Sequence, residues 1–329
     1  MLMLDILVIG AGMSGLVAAT ELQKSGYKVA CTEKARGSGG RLSSKRVESK
    51  KTNKMISFDL GCSSFDTKTE LFKSYVDNWI SEGVAKVWRT SESLAKQYVA
   101  TPRSSSITRF LSDELNVHFS TRVTEIRKEN DMWLVYTGDI GKRILFAQTK
   151  HIVFATPPQQ AADLLPNEHR FIPALSQSIM LPQWVLMLNI KGHLDLSDDF
   201  YEFNDSIISR LILEESKPER TESGDHQVWV VQADAQWTAK NLETNRAELE
   251  HALISELAAK TGSPVIVDDS YLHRWLYSVA QHNELSGKQY LQDGHGLWLC
   301  GDYLSDIDTL SGVEAAFTSG HQLAKNFKV

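Results

Sequence analysis

The hydrophobic pattern at the start of the chain predicts a β-α-β unit. Residues 6–9 form a short apolar run, which is typical of a fully buried parallel strand. Apolar positions between residues 16 and 22 recur at helical spacing until Gly26, and a second apolar run follows at residues 29–32. The sequence therefore predicts an α/β fold that begins with a parallel sheet.

The remaining pattern predicts more strands than helices. Helical spacing predicts helices at residues 68–82, 105–115 and 246–258 and from 312 onwards. Period-two alternation and short apolar runs predict strands at residues 55–60, 117–119, 123–126, 133–136, 144–147, 151–156, 185–190, 207–213, 228–232 and 296–299. Four of the predicted strands, between residues 117 and 147, form a small meander with Gly138 and Gly141 at its turns.

Three glycines follow the first strand directly, in the spacing G-x-G-x-x-G. Gly10 permits a tight turn, Gly12 lets the backbone approach a pyrophosphate, and Gly15 lets the next helix pack close to the strand. Glu33 ends the second strand about 20 residues further on, where a carboxylate can accept the hydroxyls of an adenosine ribose. Because strand, glycines, helix, second strand and acid occur in this order, we predict a dinucleotide site.

A second glycine-rich loop favours FAD over NAD. It covers residues 34–41, Lys-Ala-Arg-Gly-Ser-Gly-Gly-Arg, and would bring further amides and the guanidinium of Arg41 to the pyrophosphate. This loop resembles the R-x-G-G-R extension of flavin enzymes in the amine-oxidase and renalase superfamily, and the resemblance implies FAD as the resident cofactor. Ala155-Thr156-Pro157 is similar to the segment that closes the cofactor domain in two-domain flavoproteins.

The end of the chain returns to this domain. Asp302 could hold a ribityl hydroxyl or approach the pyrophosphate, and Gly61 would let the chain pass close to the flat ring. The amides of residues 312–314 could direct a positive helix end at the flavin, where they would stabilise the negative charge of the reduced ring; an ordinary helix start is the alternative. Cys300 ends an apolar strand, so we expect it in the core and expect FAD to be noncovalent.

Together these segments predict a Rossmann-like FAD-binding domain of the amine oxidase or p-hydroxybenzoate hydroxylase type, with an inserted α+β substrate domain. The first domain would comprise residues 1–72, 100–158 and 292–329, and the second residues 73–99 and 159–291. The predicted cofactor residues are Gly10, Gly12, Met13, Ser14, Gly15, Glu33, Lys34, Arg36, Gly40, Arg41, Gly61, Val123, Ala155, Gly301, Asp302, Gly312 and Val313.

Composition narrows the class of protein. The chain has 329 residues, enough for about two domains, and its net charge of −6 argues against a general role in nucleic-acid binding. No apolar span is long enough to suggest a membrane segment, and residues 6–19 lack the basic flank of a signal peptide. Three cysteines without C-x-x-C spacing and ten scattered histidines predict a reducing cytoplasmic location and no metal site.

A polar and basic run covers residues 41–53. Such a run usually forms a solvated loop, and this is our interpretation. The alternative is that some of these charges attract a phosphate-bearing substrate.

Further segments resemble one family more narrowly, the bacterial renalases. These segments are residues 36–46, 216–220, 236–237, 273–277 and 300–302, and they span nearly the whole chain. The resemblance implies an FAD enzyme that takes hydride from dihydronicotinamide dinucleotides, NAD(P)H isomers reduced at C2 or C6, and returns NAD(P)+. It also implies that molecular oxygen reoxidises the flavin and gives hydrogen peroxide.

This chemistry requires little from the protein beyond positioning. A dihydropyridine expels hydride with its own lone pair, so the site needs a flat pocket near flavin N5 and no strong base, nucleophile or metal. Aromatic, histidine and arginine side chains could form that pocket, although each also has an ordinary structural interpretation. The candidates are Trp237, His273, Arg274, Trp275, Tyr277 and Tyr303.

Two departures from the renalase pattern leave the substrate open. Cys62-Ser63-Ser64-Phe65 stands where the family has Ala-Gln-Tyr-Phe, and the loop at residues 303–311 is longer. Amine oxidation is one alternative, although no segment here singles out the lysine that often contacts flavin N5 through water in amine oxidases. A catalytically silent flavin-binding protein and an NAD-dependent dehydrogenase are the others. The sequence does not indicate an oligomeric state.

Overall fold

The structure is a computed structural model that describes residues 1–51, 53–90, 96–138, 142–220 and 224–328. The predicted turn residue Gly141 lies outside these ranges. The strands are β1 (Leu2–Ile9), β2 (Val29–Thr32), β3 (Ser44–Glu48), β4 (Met55–Asp59), β5 (Ala85–Arg89), β6 (Gln97–Ala100), β7 (Val117–His118), β8 (Val123–Glu129), β9 (Met132–Thr137), β10 (Ile144–Phe154), β11 (Met180–Lys191), β12 (Phe200–Glu202), β13 (Ile208–Leu213), β14 (His226–Ala233), β15 (Val267–Ala280), β16 (Tyr290–Gln292) and β17 (Leu297–Cys300). The helices are α1 (Met13–Lys24), α2 (Glu70–Ser81), α3 (Ser106–Asp113), α4 (Pro158–Ala162), α5 (Ile172–Gln177), α6 (Ala235–Lys240), α7 (Arg246–Thr261) and α8 (Gly312–Lys325).

The first sheet carries the glycine motif and confirms the predicted α/β fold. Its main path is β16-β17-β10-β1-β2-β7, and β1 lies parallel to both β10 and β2. Both faces of β1 are covered: Leu7 packs towards α4 and α5, and Ile6 and Val8 pack against α1 and α8. Because neither face meets water, β1 is a continuous apolar run without polar alternation. This burial fixes the end of β1, where the first glycine turn begins.

The second sheet is inserted between β10 and β16. Its order is β12-β13-β14-β11-β15, and all pairs are antiparallel. One face, which we call the outer face, is covered by α7 through Leu249, Leu253 and Leu257. The other, the inner face, packs Val185 and Met187 against β4. The inner face is therefore the side of the second sheet that faces β4 and the part of the chain with the glycine motif.

Two short ribbons connect the sheets, and one corrects a prediction. Residues 44–48 form β3, paired with β4, whereas we interpreted residues 41–53 as a solvated loop. The interpretation was wrong for β3. Most positions of this strand are polar, so no apolar alternation marks it in the sequence, and only Val47 joins an apolar cluster. The second ribbon, β5–β6, reaches the second sheet through Trp88, whose ring contacts Phe200 edge-on.

Two long strands also differ from their predicted extents. β10 is one strand across residues 144–154, since β9 pairs with its first half and β17 with its second. β15 was not predicted as a strand, because its inner-face positions alternate polar with aromatic residues and give no apolar period.

The helix α2 and the strand β6, which we placed in the substrate domain, contribute Trp79 and Tyr98 to a cluster with α1 and α8. The domain boundaries stay a prediction.

Candidate active site

The first glycine turn is built by close backbone contacts at two of its three glycines. A Cβ on Gly10 would lie 2.6 Å from the carbonyl oxygen of Ala155, and its φ of +110° favours glycine. A Cβ on Gly15 would lie 2.1 Å from the carbonyl oxygen of Gly10. At Gly12, in contrast, no atom lies within 4 Å of the added Cβ. The turn thus leaves open space at the position predicted to face a pyrophosphate.

The N-terminus of α1 opens on the same space. Gly12 is its N-cap and supplies no capping side chain, and the first turn contains no acidic residue. The helix end therefore keeps its positive character for an anion. Gly320 of α8 sits against this turn, because a Cβ there would lie 2.2 Å from the carbonyl oxygen of Ser14. Met13 and Ser14 are buried beneath the turn.

Glu33 links the two glycine loops. Its carboxylate is buried and accepts hydrogen bonds from the backbone N–H groups of Ala11 (3.0 Å) and Ala35 (2.8 Å). Each carboxylate oxygen retains a lone pair, so the group can still accept a ribose hydroxyl, as predicted. In the second loop, the N–H of Gly39 donates to the carbonyl of Ala11 (3.0 Å), which brings the two loops side by side.

The other predicted adenosine-side residues are spread around this corner. Val123 is buried at the start of β8, and Ala155 lies at the end of β10, where its N–H donates to Ile9. Lys34 is exposed and donates to the side chain of Gln160 (2.9 Å), and Arg36 is exposed.

Arg41 connects three parts of the chain. Its guanidinium donates to both carboxylate oxygens of Asp302, at 2.7 and 2.6 Å, and to the carbonyl of Ser278 in β15 (3.0 Å). Burial lowers the pKa of Arg41, but the charge of Asp302 outweighs it, so the pKa is raised. Gly40 lies beside the open position at Gly12, because a Cβ added to Gly40 would lie 3.6 Å from the Cα of Gly12. A fixed cation therefore lies at the edge of the space predicted for the cofactor.

The N-terminus of α8 lies close to that of α2. Gly312 begins α8 with a φ of +60° and open space around it, and Val313 is buried. The carboxylate of Glu314 accepts the N–H groups of Lys68 (2.7 Å) and Thr69 (2.8 Å). Since Thr69 is the N-cap of α2, Glu314 holds both helix starts together.

Residues 59–62 begin at the last residue of β4 and contain the predicted ring-side glycine, Gly61. We call this stretch the ring turn. A Cβ on Gly61 would lie 2.3 Å from the carbonyl oxygen of Arg41, so only glycine fits. Cys62 is half-buried, and burial raises the pKa of its thiol to about 11. Cys300, in contrast, has no exposed surface, which confirms its predicted core position.

A buried ion cluster anchors the ring turn to the second sheet. Asp59 accepts hydrogen bonds from Lys217 (3.0 Å) and Arg220 (2.7 Å), and Lys217 also binds Glu214. All four side chains are at most 3% exposed. The sequence connects Lys217 and Arg220 only with the renalase-like run at residues 216–220. A run of charged residues by itself predicts a solvated surface. The acid at the end of the apolar strand β4 was the available signal for a buried partner.

The substrate-pocket candidates divide between the two faces of the second sheet. His273 and Trp275 lie on the inner face, opposite Val185 and Gln183 of β11, and their rings meet edge-on at 4.7 Å. Burial lowers the pKa of His273, and its Nε2 has no hydrogen-bond partner in the described part of the chain. Tyr277 is half-buried on the same strand.

The other three candidates are not brought to the inner face. Trp237 packs with the outer-face cluster, and Arg274 lies over the ring of Trp184 on that side. Tyr303 is buried in the core of the first sheet, and burial raises the pKa of its phenol. The structure thus brings together only His273 and Trp275 of the six.

The geometry fits a dinucleotide flavin cofactor. The open space at Gly12, the uncapped start of α1 and the fixed cation Arg41 suit a pyrophosphate, and the ring turn lies between this corner and the inner face. These features define a two-domain flavin-dependent oxidoreductase. Within the described ranges, no helix is long and apolar enough to span a membrane, and no three His, Cys, Asp or Glu residues are grouped as metal ligands.

Comparison with known proteins identifies the family. Residues 8–79 match the NAD(P)-binding Rossmann-like domain, and residues 83–326 match the flavin containing amine oxidoreductase family. The chain therefore belongs to the flavin containing amine oxidoreductase family, and FAD is its cofactor.

More distant relatives share parts of the sequence or the fold. A 4-hydroxybenzoate brominase (decarboxylating) of Pseudoalteromonas luteoviolacea (strain 2ta16) is 30% identical over 130 residues, which are 40% of this chain and 21% of that protein. A protein provisionally named as a protoporphyrinogen oxidase from Exiguobacterium sp. 255-15 has a TM-score of 0.73 at 11% identity, covering 98% of this chain and 99% of that one. Putrescine oxidase bound to putrescine has a TM-score of 0.62 at 15% identity, covering 99% of each chain. At these identities the two structures show the fold alone.

Proposed function

We propose that this protein is an oxidase of dihydronicotinamide dinucleotides reduced at C2 or C6. Bound FAD would supply the redox chemistry by which hydride leaves a dihydropyridine carbon and its two electrons reach oxygen. With one proton taken up, the products are NAD(P)+ and hydrogen peroxide. Family membership supports the flavin oxidoreductase class, and the renalase-like segments named above support this substrate.

The observation that carries the proposal is a set of amide and aromatic side chains on the inner-face wall. The neighbouring Arg210, opposite Gln232 in the register, is paired with Glu202. Beside the ring turn this wall presents the amides of Gln183 and Gln232 and the rings of His273 and Trp275. Burial lowers the pKa of His273, which favours the neutral imidazole. Neutral amides and aromatic rings suit a flat ring that carries a carboxamide, and hydride loss from such a ring requires no base.

A cluster of arginines supports a phosphate-bearing substrate. Arg46 of β3 lies near Arg103 and Arg109, since the start of α3 is joined to β3 by a hydrogen bond from Ser105 N–H to Ser44 (3.3 Å). Burial and these positive neighbours lower the pKa of Arg103. The charge of Asp59 opposes this lowering, but Asp59 is itself bound by Lys217 and Arg220. Clustered arginines next to the ring turn are suited to bind phosphate groups.

Amine oxidation is the second candidate, because the family includes amine oxidases and a putrescine oxidase has this fold. The state of Lys217 argues against that residue as the lysine of an amine oxidase. It is the only buried lysine in the part of the chain that the structure describes, and its ammonium is already bound by Asp59 and Glu214. It is therefore not free to hold a water near the flavin.

Anaerobic titration of the FAD-loaded enzyme tests the proposal. We expect the isomers of NADH and NADPH reduced at C2 or C6 to bleach the oxidised flavin band, with putrescine and benzylamine leaving it unchanged. Ordinary NADH, reduced at C4, is the matched control for the position of the hydride. Bleaching by amines alone would replace the proposal with amine oxidation. We also propose a cytoplasmic location and noncovalent FAD, and the latter predicts that acid releases intact FAD.

A further inference from the structure

The carbonyl groups of the ring turn are held by side chains of the second sheet. The indole N–H of Trp275 in β15 donates to the carbonyl of Leu60 at 2.9 Å. The side-chain amide of Gln232 in β14 donates to the carbonyl of Gly61. These partners are 215 and 171 residues away in the chain, so the turn is set by the packing of the second sheet against β4.

This arrangement determines where the N–H of Gly61 points. The peptide between Leu60 and Gly61 is trans, so its N–H and its carbonyl point in opposite directions. With the carbonyl turned towards Trp275, the N–H of Gly61 is turned away from the second sheet. It has no hydrogen-bond partner in the described part of the chain, whereas the next N–H, of Cys62, donates to the carbonyl of Arg41 (2.9 Å). Gly61 therefore offers one free, oriented donor.

We propose that Trp275 and Gln232 are positioning residues for the flavin ring, which they act on through the ring turn. By fixing the carbonyls of Leu60 and Gly61, they present the Gly61 N–H as a hydrogen-bond donor to the ring edge. This role is separate from the predicted place of Trp275 at the substrate pocket, and both can hold because only the indole N–H is directed to Leu60. It depends on FAD as the cofactor and not on the identity of the substrate.

Two contacts of the Trp275 ring support the positioning role. Its N–H is used by Leu60, and the imidazole of His273 meets the ring edge-on at 4.7 Å. A backbone donor near the ring would stabilise charge that develops on reduction, and a preorganised donor does so without reorganisation. The two side chains therefore influence the flavin without touching it.

The substitution Trp275→Phe tests the proposal because it removes the indole N–H and keeps an aromatic ring. Trp184→Phe is the matched control, since Trp184 lies on the outer face of the same sheet and also donates to a backbone carbonyl, that of Asn241 (3.3 Å). We expect Trp275→Phe to raise the Kd for FAD about fivefold, as for the loss of one hydrogen bond. We also expect it to alter the visible circular dichroism of the bound flavin and to lower its midpoint potential.

Trp184→Phe is expected to keep the wild-type flavin spectrum and potential. Gln232→Met should change the spectrum in the same direction as Trp275→Phe, because it also removes a donor to the ring turn. The thermal midpoints of the apoproteins separate folding from positioning, since both tryptophan variants lose one buried hydrogen bond. A wild-type flavin spectrum and potential in Trp275→Phe, or equal changes in the Trp184→Phe control, would overturn the proposal whatever the substrate is.

Discussion

Lys217 and Asp59 form an ion pair at 3.0 Å in which neither side chain is more than 1% exposed. Asp59 is the last residue of β4 and the first of the ring turn, and Lys217 follows β13 of the second sheet. Arg220 and Glu214 complete the cluster. A buried charge left without its partner destabilises a protein by about 3–5 kcal/mol, so the cluster ties the sheet and the turn into one unit.

The cluster predicts a dependence of stability on pH. Burial raises the pKa of Glu214 to about 7, against an ordinary value of 4.5, although Lys217 partly opposes this. Burial also raises the pKa of Asp59, but Lys217 and Arg220 outweigh it and hold the value at about 2. Between pH 4.5 and 7 the native state therefore binds more protons at Glu214 than the unfolded state does. The free energy of unfolding should fall as pH rises through this range, by up to about 3 kcal/mol.

Urea denaturation at several pH values measures this change. Glu214→Gln should remove most of the slope between pH 5 and 7, because the amide does not titrate. Glu219→Gln is the control, since Glu219 is 40% exposed in a surface pair with Lys86. An unchanged slope in Glu214→Gln would contradict the assignment.

The first glycine turn allows cofactor binding to be separated from folding. Gly12→Ala should leave the stability of the apoprotein near that of the wild type, because the new Cβ meets no atom within 4 Å and φ is −83°. It should weaken FAD binding by at least about tenfold if the pyrophosphate occupies that space. Gly15→Ala should instead destabilise the fold, because its Cβ would lie 2.1 Å from the carbonyl oxygen of Gly10. Thermal unfolding of the apoproteins and FAD titration measure the two effects, and a normal FAD affinity in Gly12→Ala would contradict the cofactor position.

The paired contact between Arg41 and Asp302 predicts an effect on FAD binding. Asp302→Asn removes the negative partner that fixes the guanidinium, so Arg41 loses its defined position. We expect FAD affinity to fall about tenfold, measured by quenching of flavin fluorescence during titration of the apoprotein. Asp306→Asn, in the neighbouring loop, is the control, because among the described residues its carboxylate accepts only a local N–H, from Asp308 (3.2 Å). Equal affinities in both variants would argue against a role for the pair.

The glycine motif could be predicted because its signals are local. Gly10, Gly12 and Gly15 lie within six residues and follow an apolar strand whose burial on both faces is visible in its composition. The prediction of the first sheet from this segment was confirmed. Cys300 was predicted as a core residue for the same reason, because it ends a strand without polar positions.

The inner face could not be predicted in the same way. The contact of Trp275 with Leu60 and that of Lys217 with Asp59 join residues 215 and 158 positions apart, and no local pattern specifies such pairings. For the aromatic residues of β15 the sequence therefore supported packing more strongly than a substrate pocket. Their division between two faces followed only from the register of β15 on β11.

The arginine cluster gives a prediction that separates the two candidate functions. Arg103→Gln removes one of three neighbouring positive charges, so it should raise the KM for a phosphate-bearing dihydronicotinamide dinucleotide about fivefold with little change in kcat. The KM for a dihydronicotinamide riboside, which lacks phosphate, should not change. Arg143→Gln is the control, since Arg143 is exposed and paired with Glu125. If the substrate were a cationic amine, removal of a positive charge would leave KM unchanged or lower it. Steady-state kinetics at low ionic strength therefore distinguishes a phosphate contact from an amine site by the sign of the change.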